Sequence, residues 1–462
     1  MTVQTAIGGY RVLNPATGAL VTEFATDTDE DIRAAVDRAY ATYQRDIGLP
    51  IRARTAALQR AADLLRERAD EMSRLISEEM GKSLEQGAGE VEFSAAIFEY
   101  YSQNAERLTA DQEIPTPGTR AVIERRPLGP LLGVMPWNYP YYQVARFAAP
   151  NLALGNTVLL KPSEWCPQSA LAFNALLLEA GVPDGAYQTV LATHGQIETI
   201  IADPRVRGVS LTGSERAGAA VARAAGEHLK KVVLELGGSD AYVILDTASA
   251  VDAAETAWGM RMENLGQACN SNKRIIVVGD QFDDIVRELV GLASHLLPGD
   301  PLSLKDGEYG PLASRGGAEY LAGQVADAVA QGATLHIGGT VGEGPGAYFA
   351  PAVLTGVTPE MRAYSEELFG PVAVVYRAES EEQALYLAND TEFGLGAAVF
   401  SADVERAAAF ASRVESGMVS INAPAAEGAE LPFGGVQRSG FGRELGPLGI
   451  DEFVNKRLVY FA

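Results

Sequence analysis

Cys269 lies in Asn264-Leu265-Gly266-Gln267-Ala268-Cys269-Asn270, directly before the apolar run 273–278. A free cysteine is most often an inert buried hydrophobe, because an unperturbed pKa of about 8.5 leaves little thiolate near neutrality. Polar, glycine-containing surroundings argue against a core position here and make the thiol a candidate nucleophile. Glu235 opens Glu235-Leu236-Gly237-Gly238 at the end of the run 232–234. Partly buried in that setting, its carboxyl would hold its proton toward neutrality, as a general base requires; the competing reading is a strand-end carboxylate held by hydrogen bonds.

Two further stretches suit a nucleotide. Lys161-Pro162-Ser163-Glu164 closes a strand-like run, and a Lys beside a carboxylate there can hold ribose hydroxyls or be plain solvated surface charge. Leu211-Thr212-Gly213-Ser214-Glu215-Arg216-Ala217-Gly218 joins a strand pattern to a helix pattern. Small residues there let backbone N–H groups and the positive helix end approach a diphosphate, or simply serve a tight turn. The spacing is not the usual dinucleotide fingerprint. Cys166, in Glu164-Trp165-Cys166-Pro167, reads as an inert core thiol. His194, His228, His295 and His336 lie in none of these motifs, so neither a metal site nor a Cys–His hydrolase is expected.

The elements that must position these groups follow from periodicity. From Asp29 to about Leu108 the apolar residues recur at helical spacing, as in Ile32, Ala35, Val36 and Ala39. After Gly118 the pattern turns to short β-branched runs separated by amphipathic helices: 131–135, 157–160, 206–211, a helix over 214–228, then 232–234 and 242–245. A second series follows Cys269, with a strand at 273–278, helices over 282–297 and 318–331, and strands near Leu335 and at 372–376. This predicts an α/β protein with two tandem parallel sheets, whose ligands sit beyond the carboxyl ends of the strands. The 462 residues carry a net charge of −23, a field that repels nucleic acid and anionic membrane surfaces. No secretory leader or membrane span is expected, and two cysteines with no disulfide framework suit a reducing, cytoplasmic compartment.

Taken in order, Pro136-Trp137-Asn138-Tyr139-Pro140, Lys161-Pro162-Ser163-Glu164, Gly213-Ser214 with Gly218, Glu235-Leu236-Gly237-Gly238, Gly266-Gln267-Ala268-Cys269, Glu366-Glu367-Leu368-Phe369-Gly370-Pro371 and Pro432-Phe433-Gly434-Gly435 resemble the aldehyde dehydrogenase superfamily over essentially the whole chain. The resemblance implies a Rossmann-like NAD-binding domain over 1–113 and 128–237, a catalytic domain over 238–435, and a small β extension of oligomerisation or bridging segments at 114–127 and 436–462. It implies Cys269 as nucleophile, Asn138 and the Cys269 N–H as oxyanion donors, and Glu235 as the base that hydrolyses a thioester. Lys161 and Glu164 would contact the adenosine ribose, Ser214 the diphosphate and Glu367 the nicotinamide ribose. Trp137 and Phe369 would line the cofactor site, with Ser163, Gly213, Gly218, Leu236 and Gly237 completing it. Glu164 favours NAD, because a carboxylate repels a 2′-phosphate, while Lys161 leaves NADP possible.

The runs 235–240 and 430–443 look like the succinate-semialdehyde dehydrogenase branch, where Arg146 aligns with an Arg that in some members binds the substrate carboxylate; a helix-surface or interdomain ion pair is the alternative reading of Arg146. Glu263, where several such enzymes have Arg, would repel an acid aldehyde if it faced the substrate tunnel; 422–429 and Gln437 also depart from the branch pattern. Neutral aliphatic, aromatic or amino aldehydes are the alternative substrates. Outside oxidation, the alternatives are a reductive enzyme on activated acyl groups and a catalytically silent dinucleotide-binding protein. Family likeness also implies a homodimer or homotetramer, and the tail 452–461 is expected to pair with another subunit rather than fold onto its own.

Overall fold

The structure, a computed structural model, describes residues 9–462. The N-terminal helices form for the reasons their sequences suggest. Asp29–Asp46 starts at a capping box in which the Thr28 hydroxyl accepts from the Asp31 N–H and the Asp31 carboxylate accepts from the Thr28 N–H, worth about 1 kcal/mol. It buries Ile32, Ala35, Val36 and Ala39. Ile51–Glu67 and Leu84–Leu108 pack their apolar stripes on each other and on Tyr142–Leu154, in one continuous core.

Two sheets follow. The first runs Gly440–Phe441, Lys231–Glu235, Gly208–Thr212, Pro130–Val134, Thr157–Lys161, Tyr187–Thr189, parallel except at the Gly440–Phe441 edge. Chain order reverses between Gly208–Thr212 and Pro130–Val134, which opens a crevice at the carboxyl ends of those strands. The second runs Thr334–Ile337, Ala352–Thr355, Val372–Ala378, Arg274–Val278, Ala241–Ile244, Gly396–Phe400, Met418–Ile421, antiparallel only at its first edge.

One strand leaves the series in which its periodicity alone had placed it. The run 242–245, read as continuing the first series, is the Ala241–Ile244 strand in the middle of the second sheet, between Arg274–Val278 and Gly396–Phe400. A buried apolar run shows that a strand is interior but not which neighbours it pairs with. The chain therefore crosses between sheets at Leu236–Asp240, immediately after Glu235, and this crossing puts Glu235 where the two bodies meet.

A three-stranded antiparallel arm completes the fold, in the order Val454–Phe461, Thr119–Pro127, Gln112–Thr116. The tail, expected on another subunit, pairs along its whole length with Thr119–Pro127 of its own chain, from Val454 opposite Pro127 to Phe461 opposite Arg120. Extended apolar residues find a local hairpin edge first. Segment 436–453 stays in the main body: Gly440 and Phe441 pair with Glu235 and Leu234, and Val436 and Gln437 pair with Gly394 and Phe393. No helix among the described residues is long and apolar enough to cross a membrane.

Candidate active site

Asn138 follows the Pro130–Val134 strand at the crevice, on the turn before the helix Tyr142–Leu154. Its side-chain amide donates to the Gln267 carbonyl at 2.9 Å, and its own carbonyl accepts from the Asn264 amide at 2.9 Å. These two bonds join the first sheet to the loop that carries Cys269. That loop is strained: Asn264 and Leu265 both take left-handed angles, φ 47° and 52°, costing about 1–2 kcal/mol each. It is held by Gln86, which accepts from the Asn264 N–H at 3.2 Å, by Gln267, which donates to the Asn264 carbonyl and accepts from the Ala313 N–H, and by buried Arg261. Arg261 donates to the carbonyls of Gly266, Leu368 and Gly370, so it ties the nucleophile's loop to the loop of Glu367 and Phe369. Gly266 is required here, since φ is +70° and a Cβ would overlap Arg261 Nη2 and the Gly370 carbonyl.

Cys269, the only partly exposed thiol, opens onto a cleft of about 940 Å³. Burial pushes its pKa up to about 11; Arg146 and Lys273 pull it down, and Glu367 and Glu235 push it up. At pH 7 the thiolate is thus on the order of one molecule in 10⁴. Cys166 is fully buried and its thiol is pushed well up, first by burial, in keeping with an inert role.

Glu235 ends its strand with both carboxyl oxygens buried and without any hydrogen-bond partner. Burial raises its pKa well above the carboxylate range; Arg146 opposes the rise and Glu444 adds to it. No protein donor holds those oxygens, unlike a carboxylate satisfied by protein hydrogen bonds at a strand end. Glu235 is not on the cleft wall, whereas Cys269, Tyr139, Tyr142, Glu263, Leu431 and Phe433 line it.

Arg146 does not line the cleft, which corrects its expected role on a substrate carboxylate. It is fully buried, ion-paired with Glu444, and its guanidinium sits 4.4 Å from the Phe433 ring centroid and 5.0 Å from that of Tyr142. Burial alone would lower its pKa, but Glu444 more than offsets this, so Arg146 keeps its charge. Removing one partner of such a pair costs about 3–5 kcal/mol, so loss of Arg146 is a stability change before it is a specificity change. Glu444 also accepts from the Ser210 hydroxyl at 3.1 Å. Glu263 does face the cleft, accepts from the Tyr139 hydroxyl at 3.3 Å, and is held above its ordinary pKa chiefly by burial.

The cofactor candidates converge at the carboxyl ends of the first sheet. Lys161 and Glu164 form an ion pair after the Thr157–Lys161 strand; burial would raise the Glu164 pKa, but Lys161 more than offsets it and keeps the carboxylate ionised. Ser163 accepts from the Trp165 N–H at 3.3 Å. Ser214 caps the helix Glu215–Glu227, with Gly213 beside it open to a ligand: a Cβ there meets nothing nearer than Leu211, at 3.6 Å. Gly218 has a different reason, since a Cβ would reach 2.7 Å from the Leu236 side chain packed over that helix. Trp137 meets Phe369 edge-on at 5.7 Å and Trp165 at 5.5 Å. Glu367 accepts from the Gly238 N–H at 3.1 Å and lies against Gly237, where a Cβ would come within 2.5 Å of its carboxylate. An open helix N-terminus, a ribose-type carboxylate and an aromatic slot suit a dinucleotide.

Sequence reasoning missed Arg261, Lys273, Trp165 and Glu444. A basic residue opening the apolar run at Lys273 was the available signal for one of them. The partners of Arg261 and Glu444 are distant in sequence, and no local pattern announces them.

Residues 3–459 match the family model described as the aldehyde dehydrogenase family. The chain belongs to the aldehyde dehydrogenase family. A Deinococcus radiodurans relative named succinate-semialdehyde dehydrogenase [NADP(+)] is 50% identical over 450 residues, 97% of this chain and 94% of that one. The succinic semialdehyde dehydrogenase of Streptococcus pyogenes, solved with NADP⁺, superposes with a TM-score of 0.95 at 37% identity, covering 98% of this chain and 99% of that one. Betaine aldehyde dehydrogenase from Staphylococcus aureus, solved with NAD⁺, has a TM-score of 0.93 at 29% identity, covering 98% and 91%. The activity is accordingly that of an aldehyde dehydrogenase, oxidation of an aldehyde with NAD or NADP as acceptor.

Proposed function

We propose that this aldehyde dehydrogenase oxidises succinate semialdehyde, or a related small aldehyde, to the carboxylic acid through covalent chemistry at Cys269. The observation that supports the reading is the pair of hydrogen bonds joining the Asn138 turn to the loop of Cys269, whose thiol lines the cleft. Cys269 attacks the carbonyl carbon, and the oxyanion is stabilised by the Asn138 amide and the Cys269 N–H. Bound dinucleotide supplies the hydride acceptor. Glu235 takes a proton from the water that hydrolyses the resulting thioester; with no hydrogen bond holding its carboxyl, rotation toward the cleft breaks no partner.

Trp137, Phe369, Ser214 and Glu367 would hold the dinucleotide, and Glu164 would accept from its adenosine ribose. Glu164 supports NAD over NADP, whereas the Deinococcus relative carries NADP in its name and the Streptococcus one was solved with NADP⁺. Replacing Glu164 by Ser is expected to swing the ratio of kcat/KM for NADP against NAD upward by about tenfold, worth about 1.4 kcal/mol. An unchanged ratio would remove Glu164 from cofactor selection.

The names of the relatives support succinate semialdehyde as substrate. The cleft wall favours a second reading, since it carries Glu85, Glu263, Asp306, Glu308 and Glu427 against Lys305 as its one unpaired cation among the described residues. A substrate carboxylate has only Lys305 to meet there, whereas a neutral or cationic tail meets no repulsion. Following reduced cofactor with succinate semialdehyde, butyraldehyde and 4-aminobutyraldehyde decides between them. At least a tenfold higher kcat/KM for succinate semialdehyde than for butyraldehyde is expected; a preference for the amino aldehyde would favour the second reading.

Exposed Leu458, Tyr460 and Phe461 on the arm support assembly into a dimer or tetramer through that sheet. Two free thiols and the strongly acidic surface support a cytoplasmic setting without nucleic-acid or membrane partners.

A further inference from the structure

Lys273 is buried, 1% exposed at its side chain, yet opens the Arg274–Val278 strand run directly behind the nucleophile. Its Nζ donates to the carbonyl of Ala268 at 2.8 Å and to the carbonyl of Cys269 itself at 2.6 Å. The same nitrogen lies 3.0 Å from Glu367 Oε1, the carboxylate that also accepts from the Gly238 N–H on the chain crossing after Glu235. One ammonium thus spends its donors on the nucleophile's own peptide and on the residue assigned to the nicotinamide end of the cofactor. Family resemblance assigns Lys273 no part.

We propose that Lys273 is a positioning residue that clips the Cys269 peptide and the Glu367 carboxylate to a single buried charge, so that nucleophile and cofactor-side carboxylate are set by the same side chain. The proposal rests on Cys269 being the nucleophile. Three separate chain segments meet at Lys273 Nζ: 268–269, 367 and, through Glu367, 238. A hydrophobe of equal length would fill the space at lower desolvation cost. Two donors of this ammonium instead go to carbonyls of the nucleophile's loop, and its charge is paired with the Glu367 carboxylate.

Electrostatics adds a readout distinct from packing. The charged groups around the Cys269 sulfur are Arg146 and Lys273, which favour the thiolate, and Glu367 and Glu235, which disfavour it; Tyr139 and Tyr142 flank it. Around Lys273 the acids are Glu367 and Asp240. Lys273 and Glu367 therefore act on the thiol with opposite signs, so removing either alone shifts it in opposite directions and removing both cancels.

The test is the second-order rate of Cys269 alkylation by iodoacetamide at pH 8 in the intact enzyme without aldehyde or cofactor, with Cys269→Ala as the site control. Because the thiolate fraction scales tenfold per pKa unit while nucleophilicity changes the other way, a one-unit shift reads as about a threefold change. Lys273→Met is expected to slow alkylation about threefold and to weaken NAD⁺ and NADP⁺ binding, titrated by tryptophan fluorescence. Glu367→Gln is expected to speed alkylation by a similar factor, and the double variant to return close to the parent rate. Parent-like alkylation and cofactor affinity in Lys273→Met would overturn the proposal. Should that variant fail to fold, Glu367→Gln decides alone, and an alkylation rate equal to the parent's would overturn it. Neither assay requires turnover, so a failure here is separate from failure of the nucleophile assignment, which aldehyde oxidation by Cys269→Ala tests.

Discussion

Cys269→Ala is expected to lose aldehyde oxidation by a factor on the order of 10⁴ or more while keeping its fold and its affinity for NAD(P)⁺. The sulfur lines the cleft on the loop hydrogen-bonded to the Asn138 turn and is partly exposed. Its replacement by a methyl removes a bond-forming atom without opening a large cavity, so stability should change by less than about 1 kcal/mol. Steady-state rates of reduced-cofactor formation, with thermal unfolding as the control for folding, check both halves. Residual activity within tenfold of the parent would place the chemistry elsewhere. Because burial holds the thiol near 11, the parent's kcat/KM for aldehyde is expected to rise with pH wherever thiolate formation limits acylation.

Glu235→Gln is the second large effect, and its signature is kinetic rather than a simple loss. Acylation needs Cys269 and Asn138 but no base at Glu235, so each site should produce one equivalent of reduced cofactor in a burst. Turnover after the burst should fall about 10²–10⁴-fold, the usual contribution of a positioned base. The sign of the pH dependence follows from the raised pKa. A carboxyl that keeps its proton to higher pH is an inactive base below that pH and becomes active as pH rises through it, so parent kcat limited by deacylation should climb with pH. In Glu235→Gln that limb should vanish. Steady turnover with no burst and an unaltered pH profile would remove Glu235 from hydrolysis.

Much of this site was legible because its parts are local. Gly266-Gln267-Ala268-Cys269 and Glu235-Leu236-Gly237-Gly238 each announce a small-residue turn beside a reactive side chain, and the turn geometry needs no distant partner to be read. Elements were legible for the same reason: the helix capped by Thr28 and the strand Pro130–Val134 follow from periodicity and punctuation.

What was not legible depends on contacts between remote segments. Arg146 reads in sequence as a carboxylate binder or an ion-pair partner, and only the fold brings Glu444 onto it from near the C-terminus and closes it off behind Tyr142 and Phe433. Ala241–Ile244 carries the same apolar pattern as the strands before it, and its transfer to the second sheet is decided by pairing with Arg274–Val278 and Gly396–Phe400. The tail 454–461 likewise had two possible edges, and the nearer one on its own chain was taken.

The central claim is that an acyl group becomes attached to the Cys269 sulfur. Glu235→Gln enzyme mixed with NAD(P)⁺ and succinate semialdehyde, quenched in acid within the burst and digested, gives the most direct reading by peptide mass spectrometry. A succinyl mass is expected on the peptide containing Cys269, near one per site, and none with Cys269→Ala. Reduced cofactor formed in the burst with no acyl mass on that peptide, or with the mass on another residue, would contradict it.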